Sequence, residues 1–233
     1  MSKVAVVTGG TRGIGLAIAA EFIARGIDVL ATGRSDAHFA EARESVKGAG
    51  RFHCAVADVR DYPQVERVMA EAADLFGGLD ILVNNAGIGT FCEVAQQAPE
   101  QWREVIDTNL TGVFYGCHAA IPHLRRRGGG WIINISSLAG KNPFPGGGAY
   151  CASKAGLNAF SEALMQEVRY EGIRVSYVLP GSVRTDFAGT HSGAGSEWKL
   201  DPGDIAQVVV DLVAHDPRSL PSRVEIRPSR PKK

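Results

Sequence analysis

At 233 residues, 45% hydrophobic and 21% charged, the chain has the make-up of one ordinary folded domain, which excludes intrinsic disorder. Its 25 basic and 25 acidic side chains cancel, so no net field draws in nucleic acid or an anionic membrane surface, and small molecules are the expected partners. No apolar run is long enough to cross a bilayer, and the opening Met-Ser-Lys lacks the cationic and apolar regions of a secretory leader; a cytoplasmic location is expected. Cys54, Cys92, Cys117 and Cys151 are too scattered for a disulfide scaffold or a CxxC site and read as reduced, partly buried small hydrophobes.

In chain order, short apolar runs predict strands at Val4 to Val7, Asp28 to Thr32, Phe52 to Ala57, Asp80 to Val83, Trp131 to Ile135 and Arg174 to Leu179, with a weaker one at Arg223 to Ile226. Helical spacing marks Ile14 to Arg25, Tyr62 to Phe76, Pro99 to roughly Arg127, Ala149 to Tyr170 and Pro202 to Ala214. Asp61 ahead of Pro63, and Pro99 and Pro202, suit helix starts; Gly128-Gly129-Gly130 suits a helix stop. Alternating strands and helices with near-continuous apolar strands predict a doubly wound α/β domain over residues 1–233, its mostly parallel seven-stranded sheet covered by helices on both faces. Ala139 to Gly148 and Gly181 to Leu200 carry no clear pattern. The second, rich in small residues including Gly189, Gly193 and Gly195, is expected to be a mobile substrate loop.

Val4 to Val7 runs into Thr8-Gly9-Gly10-Thr11-Arg12-Gly13-Ile14-Gly15 and then a helix. Small residues let a backbone approach a pyrophosphate, and a helix N-terminus offers it unpaired N–H groups and a favourable dipole. The spacing is Gly-x3-Gly-x-Gly rather than the commoner Gly-x-Gly-x2-Gly.

With these residues the chain resembles the short-chain dehydrogenase/reductase family, whose glycine motif has the form TGxxxGxG. The likeness continues through Asp58-Val59, Asn84-Asn85-Ala86-Gly87, Asn109, Ser137, Tyr150, Lys154 and Pro180-Gly181. It implies a Rossmann-type fold. It also implies a nicotinamide cofactor held by Gly9, Thr11, Gly13, Ile14 and Gly15, with Asp58 and Val59 at the adenine edge and Asn85, Ala86 and Gly87 along its path. Pro180, Gly181, Val183 and Thr185 would flank the nicotinamide.

The end of the second strand, where an NAD-binding unit carries an acid, reads Ala31-Thr32-Gly33-Arg34-Ser35. Gly33 removes the carboxylate that would repel a 2′-phosphate, and Arg34 offers a forked donor to it. With Arg12 approaching from the glycine turn and Ser35 beside it, NADP(H) is the expected cofactor.

Tyr150 and Lys154 lie four apart on a predicted helix and so share a face. A phenol with its usual pKa near 10 is protonated at pH 7, a good acid and a poor base. A lysine ammonium about 4 Å away would favour the phenolate by up to roughly 4 kcal/mol. The resemblance implies that Tyr150 is the proton donor and that Lys154 also bonds the nicotinamide ribose. It makes Ser137 the partner of the substrate oxygen, with Ser136 the next candidate, and Asn109 the asparagine that bends its helix and anchors a water leading to Lys154. The expected activity is reversible carbonyl/alcohol oxidoreduction on a small molecule. The rival is a nucleotide-sensing or scaffold protein without catalysis, whose signature would be loss of Tyr150 or Lys154. An enoyl reductase would space the pair more widely, and Gly147 and Gly148 stand where its tyrosine would be sought.

Phe144, Pro145, Phe187, His191 and Trp198 are candidates for an apolar pocket. His118 and His123 do not share a helix face, and no metal site is expected. Arg125-Arg126-Arg127 complements a helix end, and Arg230-Pro231-Lys232-Lys233 reads as a loose solvated tail. The long helices resemble those that pair subunits in the family, so a homodimer or homotetramer is expected, although Arg223-Val224-Glu225-Ile226 departs from the glycine-rich ending of many relatives.

Overall fold

A computed structural model describes residues 2–185, 187 and 195–231 of the chain. Seven strands, β1 (Val4–Val7), β2 (Asp28–Gly33), β3 (Phe52–Val56), β4 (Ile81–Asn84), β5 (Gly130–Ile135), β6 (Ile173–Pro180) and β7 (Arg223–Ile226), form one sheet in the order β3-β2-β1-β4-β5-β6-β7. Every pairing is parallel. The side chains of a strand alternate between faces, and here both faces are covered. Val4 and Val6 of β1 join Leu82, Ile132 and Val175 under one layer of helices, while Ala5 and Val7 join Val83, Ile133 and Val178 under the other. Burial on both sides is why the strands read as unbroken apolar runs.

The first layer consists of α3 (Tyr62–Phe76), α5 (Gly112–Arg126) and α6 (Gly148–Val168); the second rests on α1 (Gly13–Ala24) and α7 (Pro202–Ala214). Asp61 caps α3 by accepting from the Gln64 N–H at 3.2 Å, with Pro63 in the first turn. Pro202 opens α7 as expected. Among the described residues no helix is long and apolar enough to cross a membrane.

Three features depart from the sequence reading. A short helix, α2 (Phe39–Ser45), follows β2; at seven residues it carries too little periodicity to be seen. The stretch from Pro99 to Arg127 is two helices, α4 (Pro99–Ile106) and α5, joined by a π-helical turn over Asp107–Thr111, and Asn109 sits inside that turn. The segment 181–200 is anchored at both ends: Val183 bridges to Leu200, with Arg184 donating to the Leu200 carbonyl at 2.8 Å and the Leu200 N–H to the Ser182 carbonyl at 2.9 Å. Its expected mobility concerns mainly residues outside those described, Gly189, His191 and Gly193 among them.

Two ion pairs fasten the amino-terminal edge of the sheet. Asp80 accepts from the Val4 N–H at 2.9 Å and pairs with Arg127 at 2.9 Å, so one arginine of the 125–127 cluster serves the fold. Asp28, 3% exposed, accepts from the Ser2 hydroxyl at 2.6 Å, the Arg51 N–H at 2.7 Å and the Arg51 guanidinium at 2.7 Å. The Arg51 guanidinium holds its carboxyl well down, at about 2. A depressed acid stabilises the fold at every pH above its unfolded value near 4 and loses that contribution as pH falls towards 2. Asp28→Asn should therefore lower Tm at pH 7, and the gap from wild type, followed by thermal melts, should close between pH 4 and pH 2.

Candidate functional site

In an open parallel sheet the helices leaving neighbouring strands part where the strand order reverses, and a crevice opens at the carboxyl-terminal edge. Here that point lies between β1 and β4, and a cleft of about 1470 Å³ opens there. Its floor is the glycine turn. Gly9 has a left-handed φ of +62°, and a Cβ there would stand 3.0 Å from the Ala86 Cα, so only glycine fits so close to the segment after β4. The Thr8 hydroxyl, on the other side of that contact, accepts from the N–H groups of Asn85 and Ala86 at 3.0 and 3.1 Å. The Asn85 amide returns to the carbonyls of Thr8 and Gly9 at 2.9 and 3.1 Å.

Most of the residues singled out in the sequence converge on this cleft. Gly9, Thr11, Arg12, Gly13 and Ile14 line one side, and Arg34, Ser35, Asp58 and Val59 close the end beyond β2 and β3. Asn85, Ala86 and Gly87 line the middle, and Ser137, Tyr150, Lys154, Pro180, Gly181, Val183 and Thr185 the far end. Two do not reach it. Gly15 lies beneath the turn, where a Cβ would stand 2.3 Å from the Gly9 carbonyl oxygen and 2.4 Å from the Asn85 amide; its smallness lets α1 pack against the turn. Asn109, fully buried, lies behind the cleft wall.

The charge in the cleft is lopsided. Among the described residues its lining includes the cations Arg12, Arg34, Lys154, Arg184, Lys199 and Arg227 against one carboxylate, Asp58, in a chain whose net charge is zero. Arg60 holds the Asp58 carboxyl below its usual value, with contacts of 2.6 and 3.0 Å. Arg34 is half exposed, 3.9 Å from Glu104. At position 33 a Cβ would crowd the Thr11 hydroxyl at 3.0 Å and the Ser35 carbonyl oxygen at 3.1 Å, so an acid there would need its neighbours to give way. A tight glycine turn, the start of a twelve-residue helix and two arginines at the mouth fit a phosphorylated dinucleotide.

At the far end α6 presents Tyr150 and Lys154. The Ser153 hydroxyl donates to the Tyr150 carbonyl at 2.8 Å and accepts from the Asn109 amide at 3.0 Å. The other bonds of Asn109 are to the backbone of Ile88, accepting from its N–H and donating to its carbonyl, each at 2.9 Å. The π-helical turn thus aims Asn109 at the segment that carries Gly87, where a Cβ would meet the Asn109 oxygen at 3.3 Å and Lys154 Nζ at 3.7 Å. Thr8 stands in the glycine motif with no role that the sequence assigns, and Ser153 is an ordinary small polar residue; their bonds to Asn85 and Asn109 join segments remote in sequence.

Lys154 is 4% exposed and donates to the Ile135 carbonyl at 2.8 Å. Burial lowers its pKa to about 8. The expectation that its charge draws the phenol down is overturned. Burial pushes the Tyr150 hydroxyl up, and the Ser137 side chain, close enough to hydrogen-bond it, only partly opposes this. The ammonium lies 5.9 Å from the centre of the phenol ring, with one of its three N–H groups on the Ile135 carbonyl, and burial is the largest influence on the phenol. Of the two candidate serines, Ser137 reaches the phenol, whereas Ser136 donates to the Asn158 side chain at 2.6 Å.

His118 contacts the Tyr62 hydroxyl at 3.0 Å and His123 contacts Arg126 at 2.7 Å. Cys54, Cys117 and Cys151 are buried and Cys92 is partly so, the Cys117 thiol being pushed up to about 12 by burial. Of the carboxyl-terminal tail, Arg230 and Pro231 are exposed, with Pro231 beside Arg227 and Pro228 at the cleft, and Lys232 and Lys233 lie outside the described residues. Phe144, Phe187 and Trp198 line it too, whereas Pro145 does not and His191 lies outside the described residues.

A doubly wound sheet with this cleft at its switch point defines a Rossmann-type nucleotide-binding protein. A family model described as short chain dehydrogenase matches residues 3–194. The chain is 43% identical over 209 residues to 3beta-hydroxysteroid dehydrogenase 1 of Eggerthella lenta, covering 86% of this chain and 80% of that protein. It is 34% identical over 241 residues to sulfoacetaldehyde reductase 2 of Chromohalobacter salexigens, covering 99% and 96%. It also superposes on an alcohol dehydrogenase from the archaeon Thermococcus sibiricus, solved with 5-hydroxy-NADP, with a TM-score of 0.88, 29% identity and full coverage of both chains. The chain belongs to the short-chain dehydrogenase/reductase family, nicotinamide-dependent oxidoreductases acting between CH–OH and C=O groups.

The depressed pKa of Lys154 carries a testable consequence for stability. A buried ammonium is a burden below its folded pKa of about 8, relieved as pH rises towards the ordinary lysine value near 10.5. Lys154→Met should be at least as stable as wild type at pH 7, and its stability relative to wild type should fall between pH 8 and pH 10 in denaturant titrations.

Proposed function

We propose that the protein is an NADPH-dependent, reversible carbonyl/alcohol oxidoreductase in which Tyr150 is the acid/base. The observation that carries this is the meeting of Tyr150, Ser137 and Lys154 at one end of the cleft whose other end bears Arg12 and Arg34. When bound, the nicotinamide supplies hydride to the carbonyl carbon or accepts it from the alcohol.

The residues of the chain do the rest. Ser137 and Tyr150 donate hydrogen bonds to the carbonyl oxygen and stabilise the negative charge that grows on it. Tyr150 then gives up its proton to that oxygen. Its raised pKa keeps the proton in place at pH 7, which suits reduction. Lys154, its pKa brought down to about 8, stands beside the phenol to stabilise the phenolate left behind and to bond the nicotinamide ribose. Asn109 holds the backbone next to Gly87 and, through Ser153, the turn of α6 that carries Tyr150. Arg12 and Arg34 take the 2′-phosphate, and Ser35 assists.

The presence of both Tyr150 and Lys154 weighs against a purely sensing or scaffolding role. Phe114, half exposed on α5 and in contact with Tyr115, His118 and Phe160, supports assembly into a homodimer or homotetramer through that helix.

Tyr150→Phe should lower kcat by at least about 10²- to 10⁴-fold while the Kd for NADPH, read by fluorescence quenching, stays within a few-fold of wild type; wild-type rates would refute the mechanism. Replacing Arg12 and Arg34 by alanine should lower kcat/KM with NADPH by about 10- to 100-fold and leave that with NADH little changed. A wild-type preference for NADH would overturn the cofactor assignment.

A further inference from the structure

Two phenylalanine rings touch the side chain proposed as proton donor, and a third packs on one of them. The Phe91 ring meets that of Tyr150 edge to face, centroids 5.6 Å apart at 80°. The Phe187 ring also lies 5.6 Å from that of Tyr150, and Phe144 lies 5.8 Å from Phe91. Phe91 and Phe144 are 46% and 44% exposed, although both face the cleft. Large apolar side chains left half open to water beside a reacting group are a surface for a ligand to cover.

The surrounding backbone is shaped to hold these rings. A Cβ at Gly89 would stand 2.8 Å from Phe187 and 2.9 Å from Phe91, so a side chain there would push the two rings out of place. At Gly147 it would stand 2.6 Å from Phe144. The Cys92 N–H donates to the Gly146 carbonyl at 2.9 Å, which ties the segment bearing Phe91 to the one bearing Phe144. Rings from three segments, two of the segments cross-tied, with two glycines leaving them room, make one wall.

We propose that Phe91, Phe144 and Phe187 form the substrate-recognition wall of the site and select a bulky, uncharged, cyclic or aromatic carbonyl compound whose flat body lies against the rings with its oxygen at Tyr150. The proposal rests on the oxidoreductase reading of the same site. The faces and edges of the rings reward a flat apolar body and give a short aliphatic chain little to cover. Arg184 and Arg227 in the lining already face Asp201 and Glu225, so they are poorly placed to draw in an anion. Lys199 at the rim makes a small anionic carbonyl compound the competing outcome.

The test compares kcat/KM for 2-tetralone, butan-2-one and pyruvate, with NADPH, in wild type and in Phe91→Ala, Phe144→Ala and Phe91→Leu. In parallel, binding of 2-tetralol to the NADP-loaded protein is measured by calorimetry, which needs no turnover. Wild type should favour 2-tetralone over both other compounds by at least tenfold. Either alanine variant should cut that ratio by tenfold or more and weaken 2-tetralol binding to a similar degree. Phe91→Leu, which keeps apolar bulk without the ring, should fall between and guards against an unfolded alanine variant, as do melts of all three. Preference for pyruvate or butan-2-one, or a ratio untouched by the substitutions, overturns the proposal and leaves the oxidoreductase reading standing. Binding of 2-tetralol that depends on Phe91, without turnover of any compound, upholds the wall and overturns the oxidoreductase reading. Absence of both binding and turnover of the ring compounds overturns the wall.

Discussion

The cleft depends on how β1 and β4 are held together at the place where they stop pairing. Val7 is in register with Val83, the Thr8 N–H still reaches the Val83 carbonyl at 3.0 Å, and beyond that point the ladder no longer holds the two chains together. Thr8 takes over that task. Its hydroxyl accepts from Asn85 and Ala86 while the Asn85 amide donates back to the turn. A net hydrogen bond is worth about 1 kcal/mol, but an orphaned buried donor costs about 1–3 kcal/mol, so the lock resists opening. The distance it sets between the glycine turn and Ala86 is the distance for which Gly9 and Gly15 are small enough.

A buried polar layer continues that lock towards the proposed catalytic end. Beneath the sheet edge Asn84 donates to Asn134 at 2.8 Å and Asn134 to Ser161 at 2.9 Å. Farther along, Ile88, Asn109, Ser153 and Tyr150 are linked in one chain of bonds. Such networks are costly when partly satisfied and stiff when complete. Both end on α6, and they hold Tyr150 and Lys154 against strands that belong to the cofactor side of the fold. A π-helical turn is what lets Asn109 join: the extra residue breaks the regular advance of the helix and turns an amide inward.

The electrostatics of the site come from position more than from amount of charge. In a chain of zero net charge the charged side chains that line the cleft are, among the described residues, cations with one exception, Asp58, and burial brings the pKa of the deepest of them, Lys154, down to about 8. Tyr150 moves in the opposite direction, towards a firmer hold on its proton. Both follow from removal of water around the pair, a cost that favours the neutral form of each.

Much of this was legible in the residues. Strand and helix alternation, the glycine turn after the first strand, Gly33 followed by Arg34, and the four-residue spacing of Tyr150 and Lys154 are local patterns, and local patterns follow from chain geometry. The element ends at Val4, Val7, Tyr62, Phe76, Pro202 and Ala214 were readable for the same reason. What depends on contacts between distant segments was not. The lock by Thr8, the retreat of Gly15 and Asn109 behind the cleft wall, and the π-turn that splits the long periodic stretch arise only when β4 meets β1 and α6 meets the segment after β4. The direction of the Tyr150 shift belongs with them: a spacing of four places the lysine near the phenol, but how much water surrounds either group is decided by everything packed around them.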